Sequence, residues 1–125
     1  MLKLLLVSRD KDSLSGLSSA LSGQDNIELE TSASGEKALA MLSSKAVDLV
    51  VADEDLGDMT ALEFSKRLLK INPMINCVIV SSLPPEEFHE ASEGLGIMAQ
   101  LPKQPSVKDA EDLIKTLKSI KGLLN

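Results

Sequence analysis

Two textures of apolar residues alternate along this chain. Short dense runs cover Leu2 to Val7, Val47 to Ala52, Met74 to Val80 and Ile97 to Leu101. The middle two are rich in Val and Ile, as strands buried on both faces would be. A weaker run, Ile27-Glu28-Leu29-Glu30-Thr31, alternates and predicts a half-exposed strand. Between the runs the spacing changes to three and four. Leu14, Leu17 and Leu21 follow it, as do Ala38 and Leu42, then Ala61, Phe64 and Leu68, then Phe88, Ala91 and Leu95. A last stripe carries Val107, Ala110, Ile114, Leu117 and Lys121, widened by Leu113, Ile120 and Leu124. Ser106 with Asp109 is a capping pair for it, just after Pro105, and Pro84 and Pro85 suit the opening of the fourth helix.

Strand followed by helix, five times over, predicts an α/β fold. Its five-stranded parallel sheet is covered by five helices on both faces and joined by right-handed crossovers. The length of 125 residues fits one domain spanning residues 1–125.

Composition narrows the chemistry. Thirteen Lys and Arg against 19 Asp and Glu leave a formal charge of −6, which opposes direct binding to nucleic acid or to an anionic membrane. Cys77 stands alone, so neither an intrachain disulfide nor a multi-cysteine zinc site is available. His89 is the one histidine, and without Trp or Tyr only Phe64 and Phe88 could stack on a base or sugar. The run Leu4 to Val7 meets Arg9 and Asp10 too soon for a signal peptide or a membrane span, so a cytoplasmic location is expected.

In an open α/β sheet, ligands sit outside the carboxyl ends of the strands. The residues there are Ser8, Arg9 and Asp10 after the first run and Asp53, Glu54, Asp55 and Asp58 after the third. Ser81 and Ser82 follow the fourth run, and Lys103 follows the fifth. An acid, a hydroxyl and a lysine from separate strand ends can share one pocket. That set suits an anion attached to the acid, with the lysine giving fixed charge and the hydroxyl a hydrogen bond.

Leu4 to Val7, Asp48-Leu-Val-Val-Ala-Asp53, Val80-Ser81-Ser82 and Leu101-Pro-Lys103 occur in an order and spacing that resemble the receiver domains of two-component response regulators. The likeness is to the chemotaxis-type, single-domain form, and it runs from end to end. It implies a flavodoxin-like sheet of strand order 2-1-3-4-5. It makes Asp53 the phospho-accepting carboxylate, Ser81 the switch hydroxyl that follows the phosphoryl group, and Lys103 its charge partner. Asp55 takes the position whose carbonyl helps bind Mg²⁺, and Ser82 is small, as that position commonly is. The implied partners are a histidine kinase or phosphotransfer protein and a downstream protein effector. The implied contact surface is the fourth helix, fifth strand and fifth helix, which could also serve a homodimer. With Asn125 closing the last helix, either no effector segment follows or the chain is part of a longer protein.

Departures from the pattern weigh as much. The family ends its first strand with two adjacent acids that hold Mg²⁺; here Ser8 and Arg9 stand there, and only Asp10 is acidic. A hard cation that wants oxygen ligands loses two carboxylates and gains a repelling guanidinium. A weakened or lost Mg²⁺ site on Asp10, Asp53 and Asp55 is expected, with Arg9 folding over the pocket to replace part of the metal's charge. The fifth strand has Gln100 at the aromatic switch position, and Gln104 separates Lys103 from Pro105. The proline and glycine usual in the loop after the acid are replaced by Gly57 and Ala61.

Plainer readings stand beside these. Asp53 could cap a loop, Asp10 could cap the first helix, and Arg9 could pair with Asp10 or Asp12 at the surface. Asp55 and Asp58 could be a solvated acidic loop, Cys77 a core residue and His89 an exposed one. Two function classes remain open. One is a signalling module that is not an enzyme, phosphorylated or acting as a phosphorylation-independent pseudo-receiver. The other is a small flavodoxin-like enzyme holding a nucleotide, for which Gly94-Leu-Gly96 is misplaced, since it precedes a strand.

Overall fold

The computed structural model describes residues 2–10 and 12–120. Lys121, Leu124 and Asn125, assigned above to the last helix, lie outside the described residues. Ten elements alternate: β1 (Leu2–Val7), α1 (Ser15–Ser22), β2 (Ile27–Ser32), α2 (Gly35–Leu42), β3 (Leu49–Ala52), α3 (Ala61–Ile71), β4 (Asn76–Val80), α4 (Pro85–Ala91), β5 (Ile97–Leu101) and α5 (Val107–Ile120). The strands form one parallel sheet of order β2-β1-β3-β4-β5.

Side chains alternate across each strand, so the sheet feeds two cores. Leu5, Val7, Val50, Ala52, Cys77 and Ile79 face one cluster with Leu39 of α2, Phe64 and Leu68 of α3 and Phe88 of α4. Leu4, Leu6, Leu49, Val51, Val78 and Val80 face the other, with Leu17 and Leu21 of α1 and Leu113 and Leu117 of α5. β3 is buried at every position, which is what a Val-rich central strand with helices on both faces requires. β2, at one sheet edge, is largely half-buried, as its alternation foretold. Cys77 is a core residue whose thiol burial pushes up to about 12, leaving it unreactive.

Two strands start later than their apolar runs. The Asp48 side chain accepts the Lys3 N–H at 2.8 Å, and the Asn72 side chain accepts the Met74 N–H at 3.0 Å. The first ties the approach to β3 across to β1, and the second, a local acceptor, holds a turn ahead of β4. Leu95 likewise falls beyond α4, because Gly94 and Gly96 at positive φ turn the chain into β5. The Ser106–Asp109 pair does cap α5: Asp109 N–H donates to Ser106 Oγ at 3.3 Å and Ser106 N–H to Asp109 Oδ2 at 2.8 Å.

Candidate functional site

Strand register decides which residues meet at the carboxyl rim of the sheet. Val7 pairs with Ala52, Ala52 with Ile79 and Ile79 with Gln100. The ladder runs one step further: the Asp53 N–H donates to Val7 O at 2.9 Å, and the Ser81 N–H to Leu101 O at 3.0 Å. Every predicted site residue therefore follows a strand end on one rim.

Asp53 is 5% exposed, and a carboxylate so placed must be satisfied locally. Its Oδ2 lies 2.9 Å from Ser8 Oγ and its Oδ1 accepts the Glu54 N–H at 2.9 Å. Ser8 Oγ also lies 2.8 Å from the Asp10 carbonyl and accepts the Asp10 N–H at 3.1 Å. One hydroxyl proton serves one acceptor at a time, so Ser8 Oγ donates either to Asp53 Oδ2 or to the Asp10 carbonyl.

Arg9 departs from both readings of it. Its guanidinium pairs with Asp55 Oδ2 at 3.3 Å, with both side chains about 60% exposed, and not with Asp53, Asp10 or Asp12. Asp53 is buried with both oxygens engaged, whereas Asp55 offers an exposed oxygen that costs little dehydration. The arginine stem crosses Gly57, where an added Cβ would stand 3.2 Å from Arg9 Cδ. Gly57 has φ +86°, so glycine serves both the turn and the close approach. Asp10 does not cap α1. Its Oδ1 accepts the Asp12 N–H at 3.0 Å, bracing the turn before the helix, and the N-cap itself is Leu14.

On the β4 and β5 side, Ser81 is 6% exposed and its Oγ accepts the Leu83 N–H at 3.1 Å. Lys103 Nζ turns to Glu54 Oε1 at 3.5 Å rather than to Asp53. The same carboxylate accepts the Ser82 N–H at 2.7 Å and lies 3.0 and 3.1 Å from Ser82 Oγ. The Ser82 N–H bond first, against a burial penalty, and then Ser82 Oγ and Lys103 hold Glu54 below the usual carboxylate range. In sequence, Glu54 is marked only by its place at the strand end beside Asp53. At the aromatic switch position, Gln100 Nε2 donates to Leu83 O at 2.9 Å and Ser81 O at 3.3 Å, fastening the β4–α4 loop to β5. The residue inserted after Lys103, Gln104, sits at φ +53°.

Asp58 is more than solvated loop. Its two oxygens accept the Gly35 and Glu36 N–H groups at 3.0 and 2.9 Å, capping α2 from a distant loop. The Glu36 N–H bond leads in holding its carboxyl below the usual range, opposed by burial and helped by the Gly35 N–H.

A metal ion is poorly served here. Among the described residues no group of three or more His, Cys, Asp or Glu is placed to hold one. Asp55 is tied to Arg9 and to the Gly57 N–H, and Asp10 Oδ1 is turned to its own loop. With the Asp10 and Asp55 carboxylates engaged in this way, the Mg²⁺ site implied above would rest on Asp53 and the Asp55 carbonyl, without the paired acids of the first-strand loop. Clefts of about 310, 370 and 530 Å³ open around Lys3 and Val47 and beside β2, and no predicted site residue lines them.

Residues 4–118 match the response regulator receiver domain family. The chain belongs to that family. It is 30% identical over 102 residues to the response regulator protein VraR of Staphylococcus aureus, a match covering 80% of this chain and 48% of that protein. The receiver thus spans about half the length of the curated relatives it matches. Its fold superposes on a CheY-like receiver domain protein of Methanospirillum hungatei with a TM-score of 0.84 at 22% identity, covering 98% of both chains. The chemotaxis regulator CheY4 of Vibrio cholerae gives 0.81 at 22% identity, over 94% of this chain and 98% of that one. A response regulator receiver in two-component signalling, with the flavodoxin-like strand order, is therefore shown. No described helix is long and apolar enough to cross a membrane.

Proposed function

We propose that this receiver is atypical, with Asp53 as the phospho-acceptor position and Mg²⁺-dependent phosphorylation weakened or lost. The observation that carries the reading is the first-strand loop. Ser8 supplies a hydroxyl to Asp53 where the family supplies a carboxylate, and Arg9 binds Asp55 across the rim. Phosphoryl transfer depends on charge neutralisation and positioning more than on covalent work by the protein, so these exchanges bear on its rate.

In the transfer, an Asp53 oxygen attacks phosphorus on a phosphohistidine of a kinase or phosphotransfer partner. The P–O bond forms as the P–N bond breaks, and the electron pair returns to the imidazole nitrogen, which takes up a proton. Ser81 then follows the phosphoryl group with its hydroxyl, and Lys103, once free of Glu54, balances its charge. The signal leaves by protein–protein contact through α4, β5 and α5, to an effector or a second copy. The domain is a signalling module rather than an enzyme, and a cytoplasmic place beside its kinase follows from that role.

A second reading, a pseudo-receiver that works without phosphorylation, draws support from Asp53 having both oxygens engaged. Intact-mass measurement after incubation with acetyl phosphate, with and without Mg²⁺, separates the two. A phosphate-sized adduct that is lost in Asp53→Asn and little changed by Mg²⁺ is the expected result. No adduct under any condition favours the pseudo-receiver, and an adduct retained in Asp53→Asn contradicts the assignment of Asp53.

A further inference from the structure

We infer that Ser82 N–H, Ser82 Oγ and Lys103 Nζ form an anion-binding site that the chain fills with its own Glu54 carboxylate, a resident ligand that an incoming phosphoryl group must displace. The inference rests on the reading that Asp53 can carry such a group, and it concerns how that site is regulated.

Three donors from two strand ends converge on one carboxylate. Ser82 N–H is 2.7 Å from Glu54 Oε2, Ser82 Oγ is 3.0 Å from it, and Lys103 Nζ is 3.5 Å from Oε1. A backbone N–H, a hydroxyl and an ammonium around one point are the donor set that an oxyanion of any kind would use. Glu54 directly follows Asp53, and its own N–H is bonded to Asp53 Oδ1. Phosphoryl oxygens on Asp53 would therefore arrive beside a carboxylate already holding the donors they need.

Like charges at that range repel, so the two anions compete. The phosphoryl group must expel Glu54 toward solvent, where its partly exposed side chain can rotate. Charge-assisted bonds are lost by one anion and gained by the other, so the exchange has a small net driving force and small changes elsewhere can tip it. Ser82 lies in the loop that Gln100 fastens to β5, between the two carbonyls Gln100 holds, so the swap acts on the segment that leads into α4.

The test uses the intact chain, with inorganic phosphate as the probe and the Ser82 amide resonance as the readout. Glu54→Ala should bind phosphate about tenfold more tightly than the parent, the size of a lost competitor held by charge-assisted bonds. Glu54→Gln should fall between them, and adding Lys103→Ala to Glu54→Ala should cancel the gain. Phosphate binding equal in parent and Glu54→Ala, or no Ser82 response in either, overturns the inference. The acetyl phosphate experiment keeps the two claims apart. Tighter phosphate binding with no adduct in any variant sinks phosphorylation of Asp53 and leaves the anion site standing. An adduct that forms in the parent as fast as in Glu54→Ala sinks the resident ligand and leaves phosphorylation standing.

Discussion

The two halves of the rim are built on different terms. On the β1 and β3 side, charges are tied off within the rim: Ser8 to Asp53, Arg9 to Asp55, and Asp58 to the start of α2. On the β4 and β5 side, donors are gathered on a partly exposed carboxylate, Glu54, with Gln100 holding the loop behind them. The first half closes its charges on one another, while the second gathers its donors on one carboxylate. Side chains that share one rim can thus be arranged on one side as closed pairs and on the other around a single shared acceptor.

The comparison predicts unequal costs when each half is cut. Gln100→Ala should be the most damaging, because Nε2 serves two carbonyls in a partly buried loop; about 1–3 kcal/mol is expected. Urea unfolding followed by far-UV circular dichroism measures it, since the chain has no Trp or Tyr to report by fluorescence. A loss no larger than that of Arg9→Ala would erase the contrast.

Asp58→Ala comes next, at about 1 kcal/mol near neutral pH, as expected for a lost N-terminal cap in a solvent-screened position. Its carboxyl is depressed in the folded chain, so its contribution is present above the unfolded value and vanishes as pH falls through the folded one. The stability gap between parent and Asp58→Ala should close on acidification, and a gap that widens would contradict the cap.

Arg9→Ala is the smallest: under about 0.5 kcal/mol, and less at high salt, because both partners are exposed. A larger loss would mean that Arg9 braces the site more firmly than its pair with Asp55 shows.

How much of this could be read beforehand follows the physics of each feature. β1 and β5, α5 with its Ser106 cap and the Pro85 opening of α4 were all legible, because periodicity and caps are local. The rim placement of Asp53, Ser81 and Lys103 was legible too, since a parallel sheet brings strand ends together. What could not be read was who pairs with whom. Arg9 chose Asp55 and Lys103 chose Glu54 because exposure and prior occupancy decide ion pairs, and neither is written in spacing. The reach of Asp58 to α2 depends on the path of the β3–α3 loop, which sequence motifs do not encode.

The most direct test restores the missing acids. In Ser8→Asp/Arg9→Asp, the Arg9–Asp55 pair is gone and two carboxylates stand beside Asp53. Intact-mass measurement with acetyl phosphate should then show an adduct that Mg²⁺ increases about tenfold or more, against little response in the parent. A parent that already responds to Mg²⁺ as strongly, or a double variant that stays indifferent to it, would contradict the claim that the first-strand loop sets this receiver apart.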